Sequence, residues 1–164
     1  SMKRKYAREV FAQRVKEIKK HMPHACIAAD VIIGFPGETE EDFRDTYDFL
    51  DGLDISYMHV FTYSERPGTM AANMPGKLIN KEKRERSRTL HELSDKKKAA
   101  FYRQHIGSTR PVLFESDNSN GYMHGFTGNY LKVKTPFRAD LVNEIISVPL
   151  DKLDEDGIFL YSPE

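Results

Sequence analysis

The chain has 164 residues, of which 39% are hydrophobic and 30% are charged, and its formal net charge at neutral pH is zero. This balance is typical of a globular protein and excludes a disordered one, and the lack of a long apolar run excludes a membrane span. The single cysteine, Cys26, excludes a disulfide framework and favours a reducing, cytoplasmic location.

Charge is distributed unevenly along the chain. Residues 77–110 contain eleven Lys or Arg against four Asp or Glu, whereas residues 111–164 contain four against nine. The middle segment can therefore meet a polyanion such as a nucleic acid, while the C-terminal part as a whole is not a basic patch.

The first part of the chain alternates helical and strand patterns. Phe11, Val15 and Ile18 recur at helical spacing and predict a helix over residues 7–22. Residues 25–33 form a nearly continuous apolar run of strand length, which favours a strand covered on both faces, as in a parallel sheet.

A second helix and a second strand follow. Thr39 and Asp42 match a capping box, so we expect a helix from this point to about Leu53. Residues 55–63 then predict another strand. This α-β-α-β order with short connections indicates βαβ construction and a parallel sheet.

The next segments change character twice. Residues 64–80 contain two Pro and two Gly without periodicity and predict a long loop, and residues 81–105 predict a long, charged helix closed by Gly107. We place a domain boundary near Ile106. Five short strands are predicted beyond it, which indicates a small all-β barrel: residues 110–116, 122–126, 130–135, 142–150 and 158–162.

The junction after the first strand is the most distinctive local feature. A parallel pair of two strands cannot close a sheet, so residues 1–80 are expected to be the end of a larger barrel. In such folds, reactive groups gather where strands end, which is where Gly34 and Gly37 lie. Glycine at both positions lets the backbone approach a ligand closely, although a tight turn before a capped helix explains the same residues.

Four successive segments carry a recognisable pattern. They read DVIIGFPGETEEDF (30–43), HVFTYSERPGTMAANMP (59–75), RSRTLHELSDKKKAAF (86–101) and VLFESDNSNGYMHGFTGNYLKVKTP (112–136). Together they closely resemble the C-terminal part of the radical S-adenosylmethionine methylthiotransferases. Among these, the most similar type modifies the threonylcarbamoyladenosine beside the tRNA anticodon.

This resemblance implies an α/β fold followed by an all-β domain. Residues 1–80 would be the C-terminal βα units of a partial radical-SAM barrel of the TIM-like type, and residues 81–106 a connecting basic helix. Residues 107–164 would be a TRAM domain, a small antiparallel β-barrel similar to the OB-fold that binds RNA. The implied reaction is methylthiolation of C2 of the adenine, with S-adenosylmethionine and two [4Fe-4S] clusters as cofactors of the full-length parent.

The cysteines that would hold those clusters are absent from this sequence. Cluster iron requires thiolate ligands, and Cys26 alone, which we interpret as a small buried hydrophobe, can hold neither cluster. We therefore expect this chain to be a fragment that has no catalytic residue, no metal site and no activity alone. Its expected partners are the anticodon stem-loop of tRNA and the N-terminal domains of the same protein, with self-association through the open barrel edge or disorder near residues 1–25.

The resemblance also assigns residues to the cofactor. Ile32 and Gly34 are expected to line the adenine, and Arg66 to pair with the methionine carboxylate or with an RNA phosphate. Glu38 serves either the ligand or the helix dipole, and a plain surface role for Arg66 is the alternative. The full predicted cofactor set is Ile32, Gly34, Phe35, Pro36, Gly37, Glu38 and Arg66.

A second set of residues is predicted to bind RNA. Cations among aromatic rings suit phosphates and unpaired bases, although a charged helix is as often only a solvated face. Tyr122 and Phe126 are predicted to belong to the core of the barrel. The RNA-binding set is Lys81, Lys83, Arg84, Arg110, Tyr130, Lys132, Lys134 and Arg138.

Two alternative functions remain open from the residues. The chain can be a non-catalytic RNA-binding module in which residues 107–164 make the contacts. It can also be the C-terminal part of the sister family that methylthiolates an aspartate of a ribosomal protein.

Overall fold

The computed structural model of the chain describes residues 8–162. Two compact units divide between Lys98 and Ala99, within the third helix. Among the described residues, no helix is both long enough and apolar enough to cross a membrane. The predicted disorder or self-association near residues 1–25 lies partly outside the described residues. The chain is helical from Arg8 to His21, and self-association stays a prediction.

The first unit contains three helices and a parallel pair of strands. Strand β1 pairs with strand β2 from Ala28 opposite Tyr57 to Ile33 opposite Thr62. The predicted α-β-α-β order and the parallel pairing are confirmed. The elements are α1 (Arg8–His21), β1 (Ala28–Ile33), α2 (Glu40–Asp51), β2 (Tyr57–Thr62), a 3-10 turn (Met70–Asn73) and α3 (Asn80–Arg103), whose last turns belong to the second unit.

The core of this unit covers one face of the strand pair. Ala29, Val31 and Ile33 are buried, whereas Ala28, Asp30 and Ile32 between them are exposed. The expectation that β1 is covered on both faces is therefore wrong for the described residues. Apolar side chains from all three helices pack against the buried side of the sheet, and no element between residues 8 and 162 covers the exposed side.

Helix α2 begins at the predicted capping box. The backbone N–H of Asp42 donates to Oγ1 of Thr39 over 3.1 Å, and the backbone N–H of Thr39 donates to Oδ2 of Asp42 over 2.9 Å. Two of the N–H groups that a helix start leaves unpaired are thereby satisfied. This local prediction is confirmed.

The second unit is built on a five-stranded sheet with the strand order β6-β3-β4-β5-β7. Five strands were predicted, and the described part of this unit contains five. Their pairing differs from an all-antiparallel arrangement, because the chain returns after β6 to the opposite edge of the sheet and β7 runs parallel to β5. The strands are β3 (Ser108–Phe114), β4 (Tyr122–Thr127), β5 (Lys132–Pro136), β6 (Ile145–Leu150) and β7 (Phe159–Leu160).

The last turn of α3 packs into the core of the second unit. The ring of Tyr102 stacks on Phe159 with 5.7 Å between ring centroids, and its hydroxyl accepts a 3.0 Å hydrogen bond from the backbone N–H of Lys132. Phe101 and His105 are buried beside it. This turn therefore belongs with the strands, although it continues a helix of the first unit.

The face of β4 that packs in the core is not the face that was predicted. Met123, Gly125 and Thr127 are buried, whereas Tyr122 is 40% exposed and Phe126 is only half-buried. The core assignment of Tyr122 is therefore wrong. Because side chains alternate along a strand, an error of one residue in assigning the inward positions exchanges all the buried side chains for the exposed ones.

Candidate functional site

The ends of the two parallel strands bring the predicted cofactor segments together. Residues 34–38 follow β1, and residues 63–66 follow β2. The backbone N–H of Tyr63 donates to the carbonyl oxygen of Ile33 over 2.8 Å, and the rings of Phe35 and Tyr63 meet edge to face with 5.1 Å between centroids. Both segments therefore line one edge of the sheet.

The chain after β1 makes a turn that requires glycine at two positions. Gly34 has φ of 73° and Gly37 has φ of 84°, a region that other residues enter only with strain. A Cβ on Gly34 would lie 2.9 Å from Cγ of Lys83, whereas a Cβ on Gly37 would meet nothing within 4 Å. The Lys83 side chain therefore fills the space beside Gly34. At Gly37 only the direction of the missing Cβ is open, because its backbone N–H donates to the carbonyl oxygen of Gly76 over 2.8 Å.

Glu38 is held inside the protein by both of its carboxylate oxygens. Oε2 accepts the backbone N–H of Gly34 over 3.0 Å, and Oε1 lies 2.5 Å from Nη1 of Arg86. The Arg86 side chain is 9% exposed and also reaches Oε2 of Glu40 at 3.2 Å. Its guanidinium lies over the ring of Phe43. Glu38 thus stabilises the turn, and Arg86 is a site residue that sequence reasoning missed because its partner is far away in the chain.

An apolar cleft lies at the ends of the same two strands, and none of residues 34–38 lines it. It has a volume of about 460 Å³, and its lining includes Ile32, Phe61, Tyr63 and Arg66. Ile32 and Phe61 present exposed apolar surface, and Arg66 forms no ion pair among the described residues. An apolar wall with a guanidinium at its edge suits an adenosyl group that carries a carboxylate.

A second cleft at the same strand end contains two residues predicted to bind RNA. Lys83 and Arg84 line it together with residues 62–65, in a volume of about 520 Å³. Nζ of Lys83 lies 5.7 Å from the centroid of the Tyr63 ring. The buried hydroxyl of Tyr63 has no hydrogen-bond partner among the described residues. Lys83 therefore belongs to the strand-end site as much as to the basic helix.

The described residues supply no obvious metal centre. No group of three or more His, Cys, Asp or Glu side chains gathers among them. Cys26 is half-buried, and burial raises the pKa of its thiol although a hydrogen bond with Ser56 opposes this. A raised thiol pKa disfavours the thiolate that a metal would need.

The outward face of the second unit combines apolar, aromatic and basic side chains. Strand register places Ile145, Leu113, Phe126 and Lys132 in one row across four strands. In the next part of this face, Nζ of Lys134 lies 4.8 Å from the centroid of the Tyr122 ring. The structure therefore brings Lys132 and Lys134 together with aromatic rings.

Lys134 and His124 are held on this face by carboxylates. Nζ of Lys134 lies 3.2 Å from Oδ2 of Asp154, and Nδ1 of His124 lies 2.6 Å from Oδ2 of Asp117. Burial acts to raise the pKa of Asp117, but hydrogen bonds from the ring and backbone of His124 outweigh it, and the pKa is lowered. His124 and Asp117 were not predicted from the sequence, since nothing local links them.

Other members of the predicted RNA-binding set lie elsewhere. Arg110 is two positions from the buried Val112 and therefore lies on the same, inward side of β3, away from Lys132. Arg138 forms two hydrogen bonds of 3.1 and 2.6 Å with Asp140, which raise the pKa of the guanidinium. Lys81 is exposed in the first turn of α3. These three are not gathered with the cations of the outward face.

Comparison with known proteins gives relatives along most of the chain. The threonylcarbamoyladenosine tRNA methylthiotransferase MtaB of Bacillus subtilis is 37% identical over 155 residues, 92% of this chain and 34% of the relative. MtaB of Aquifex aeolicus is 42% identical over 133 residues, 81% of this chain and 31% of the relative. The tRNA-2-methylthio-N(6)-dimethylallyladenosine synthase of Pelotomaculum thermopropionicum is 37% identical over 126 residues, 76% of this chain and 28% of the relative.

These relatives agree with the resemblance seen in the four sequence segments. No family model matches the chain. The chain spans about one third of the length of the curated relatives that it matches. Over most of its own length, therefore, the chain is homologous to tRNA methylthiotransferases.

Proposed function

We propose that this chain is the C-terminal part of an enzyme that methylthiolates C2 of N6-threonylcarbamoyladenosine beside the anticodon of tRNA. The observation that carries the substrate is the similarity to MtaB of Bacillus subtilis and Aquifex aeolicus, whose names state threonylcarbamoyladenosine. In this proposal the first unit is the end of a radical-SAM barrel, the second unit is a TRAM domain, and the enzyme is cytoplasmic.

The strand-end cleft of the first unit is proposed to hold part of S-adenosylmethionine. Ile32 and Phe61 give an apolar surface for the adenosyl group, and Arg66 gives a donor for the carboxylate. Gly37 contributes the positive φ of the turn at the strand end, and Glu38 acts by holding the turn through Arg86. When bound, S-adenosylmethionine and the two [4Fe-4S] clusters of the whole protein supply the radical chemistry and the methylthio group.

The outward face of the second unit is proposed to bind the anticodon stem-loop. Lys132, which forms no ion pair among the described residues, provides charge for a phosphate, and the neighbouring rings of Phe126 and Tyr122 provide surfaces on which bases stack. Lys134 is paired with Asp154 and lies over the ring of Tyr122, so its proposed role is to position that ring. Lys83 and Arg84 at the strand end of the first unit are proposed as a separate set of cations for RNA phosphates.

The experiment is an assay of the full-length protein, loaded with clusters, on tRNA that carries threonylcarbamoyladenosine. We expect a methylthio derivative of this nucleoside by mass spectrometry. In the same protein, Arg66→Ala should raise the KM for S-adenosylmethionine, whereas Arg88→Ala on an exposed part of α3 should not. A product only on tRNA that carries dimethylallyladenosine would overturn the proposed substrate.

A second candidate function is that of an RNA-binding module without a reaction of its own. The outward face of the second unit favours it, because its cations and rings need nothing from the first unit. Filter binding of tRNA at two salt concentrations tests it, since phosphate contacts predict a steep loss of affinity with salt. No detectable binding at low salt would exclude the module for this chain.

A further inference from the structure

The turn between β4 and β5 presents Tyr130 in an unfavourable backbone conformation. Its φ is 62°, in the left-handed region that a bulky residue rarely adopts. The backbone N–H of Tyr130 donates to the carbonyl oxygen of Thr127 over 3.0 Å, which closes the turn at the position where glycine is favoured. The Tyr130 side chain is 71% exposed, so packing within the unit does little to offset this strain.

A buried network of hydrogen bonds maintains this turn. The backbone N–H of Leu131 donates to Oγ1 of Thr127 over 2.9 Å, and that hydroxyl donates to Oδ1 of Asn129 over 2.7 Å. Nδ2 of Asn129 lies 3.1 Å from Nε2 of His105, whose Nδ1 lies 2.8 Å from the carbonyl oxygen of Phe101. Since a carbonyl only accepts, Nδ1 carries the proton and Nε2 accepts from the amide. These hydrogen bonds fix the backbone of the turn that carries the exposed Tyr130 side chain.

An apolar groove runs beside the Tyr130 ring. It has a volume of about 560 Å³ and is lined mainly by apolar side chains from β3, β4 and β6. Leu113 and Ile145 in its wall are exposed, and Phe126 is half-buried. A groove of this size is within the range that holds small planar ligands. Its principal lining residues are Pro111, Leu113, Phe126, Tyr130 and Ile145.

The charges around the groove are asymmetric. Lys132 lies opposite Phe126 in the strand register and forms no ion pair among the described residues, whereas Lys134 is paired with Asp154. Glu115 also lines the groove. A phosphate would therefore be attracted at the Lys132 side and repelled at the Glu115 side. A flat ring that is linked to a phosphate fits this combination.

We propose that the groove is a site for one unpaired nucleobase of an RNA loop, stacked on Tyr130, with its phosphate at Lys132. The inference rests on the proposed function for the identity of the RNA. It adds the place of a single flipped-out base and the residue on which that base stacks.

The test uses the complete chain and an RNA hairpin with the anticodon-loop sequence, in which 2-aminopurine replaces one loop base at a time. One loop position should show fluorescence that is quenched on binding. Tyr130→Gly should weaken binding of the hairpin by about 5- to 150-fold and remove this quenching, because stacking on one ring contributes this much. The melting temperature of Tyr130→Gly should be equal to or higher than that of the parent, because glycine relieves the strained φ.

Controls separate this inference from the proposed function. Tyr130→Phe keeps the ring and should bind with the affinity of the parent, and a fully paired RNA stem should bind Tyr130→Gly and the parent equally. If the parent does not bind the hairpin at all, the proposed RNA-binding function of this chain fails. If the parent binds and Tyr130→Gly binds as tightly with the same quenching, the groove is not a base site, and a protein partner becomes the better occupant.

Discussion

The two units differ in how they use charged side chains. In the first unit, a shielded ion pair stands at the glycine turn. In the second unit, Lys132 on the outward face forms no ion pair among the described residues. Arg86 and Glu38 are largely shielded from water and bond each other directly. On the outward face, Lys132 stands beside a half-buried ring. The first arrangement maintains a backbone shape, and the second offers charge to a ligand.

The comparison teaches that a basic residue of this chain indicates a binding surface only when no carboxylate of the protein neutralises it. Arg86 and Arg138 add to the positive charge of the sequence, yet each is bound to carboxylates of the same unit. A buried pair contributes rigidity to its surroundings, and truncating one partner leaves an uncompensated charge. We expect the two kinds of cation to respond oppositely to mutation, with stability affected in one case and binding in the other.

The largest expected effect is on stability in the first unit. Arg86→Ala leaves the carboxylate of Glu38 shielded from water without its partner, and we expect a loss of about 3–5 kcal/mol in the free energy of unfolding. Urea unfolding followed by far-UV circular dichroism measures it, and hydrogen exchange shows whether the loss lies before Lys98. Arg88→Ala is the matched control, since the Arg88 side chain is 75% exposed. Equal stability of the two variants would contradict a structural role for Arg86.

A smaller effect is expected where two strands of the second unit approach closely. A Cβ on Gly125 would lie 2.7 Å from the carbonyl oxygen of Leu113 and 2.7 Å from Cγ1 of Val112. Gly125→Ala should therefore lower the free energy of unfolding by about 1–3 kcal/mol. Gly128→Ala is the control, because a Cβ there meets nothing within 4 Å. Thermal melts of both variants distinguish the two sites, and an unchanged melt for Gly125→Ala would show that the strands can separate at little cost.

A change in binding, without a change in stability, is expected at the outward face. Lys132→Ala removes one cation that forms no ion pair among the described residues, so the slope of log K against log salt for a single-stranded RNA should fall in magnitude by about 0.7. Arg138→Ala should change this slope less, because Asp140 already neutralises the guanidinium. Filter binding at several salt concentrations measures both slopes. An equal decrease for the two variants would mean that the ion pair opens to bind RNA.

The smallest expected effect concerns pH and the start of α2. Hydrogen bonds from the hydroxyl and then the backbone N–H of Thr39 lower the pKa of Asp42. Because the folded pKa is below the unfolded value, this stabilisation is present above the unfolded pKa and is lost as pH falls through the folded pKa. Titration of Asp42 by NMR should give a low pKa that returns toward normal in Thr39→Ala. No change in the Thr39→Ala variant would show that the cap does not hold the carboxylate.

Local signals in the sequence predicted the elements well. The capping box of Thr39 and Asp42, the parallel strands and the number of strands in the second unit all follow from neighbouring residues. The outward position of Tyr122 did not, because β4 alternates apolar residues on both of its faces and only packing chooses between them. The parallel β7 strand also escaped prediction, since pairing direction depends on a return across the sheet.

In the candidate site, too, local features were predictable from the sequence and long-range contacts were not. Gly34 and Gly37 were recognisable because the turn needs a positive φ that glycine adopts freely. Arg86 was not recognisable as the partner of Glu38, and Lys83 was not recognisable as the neighbour of Gly34, because both contacts join distant parts of the chain. The resemblance identified Glu38 as a site residue but not the hydrogen bonds that occupy it.

By itself the sequence determined the order of helices and strands, the glycine turn and the resemblance to tRNA methylthiotransferases, because each of these depends on short-range patterns or on similarity along the chain. Only the tertiary structure decided which cations are neutralised, which face of β4 meets the core and where Tyr130 stands. The physical reason is that charge pairing and burial are settled between residues far apart in the chain, such as Glu38 and Arg86, and no local pattern encodes such a distance.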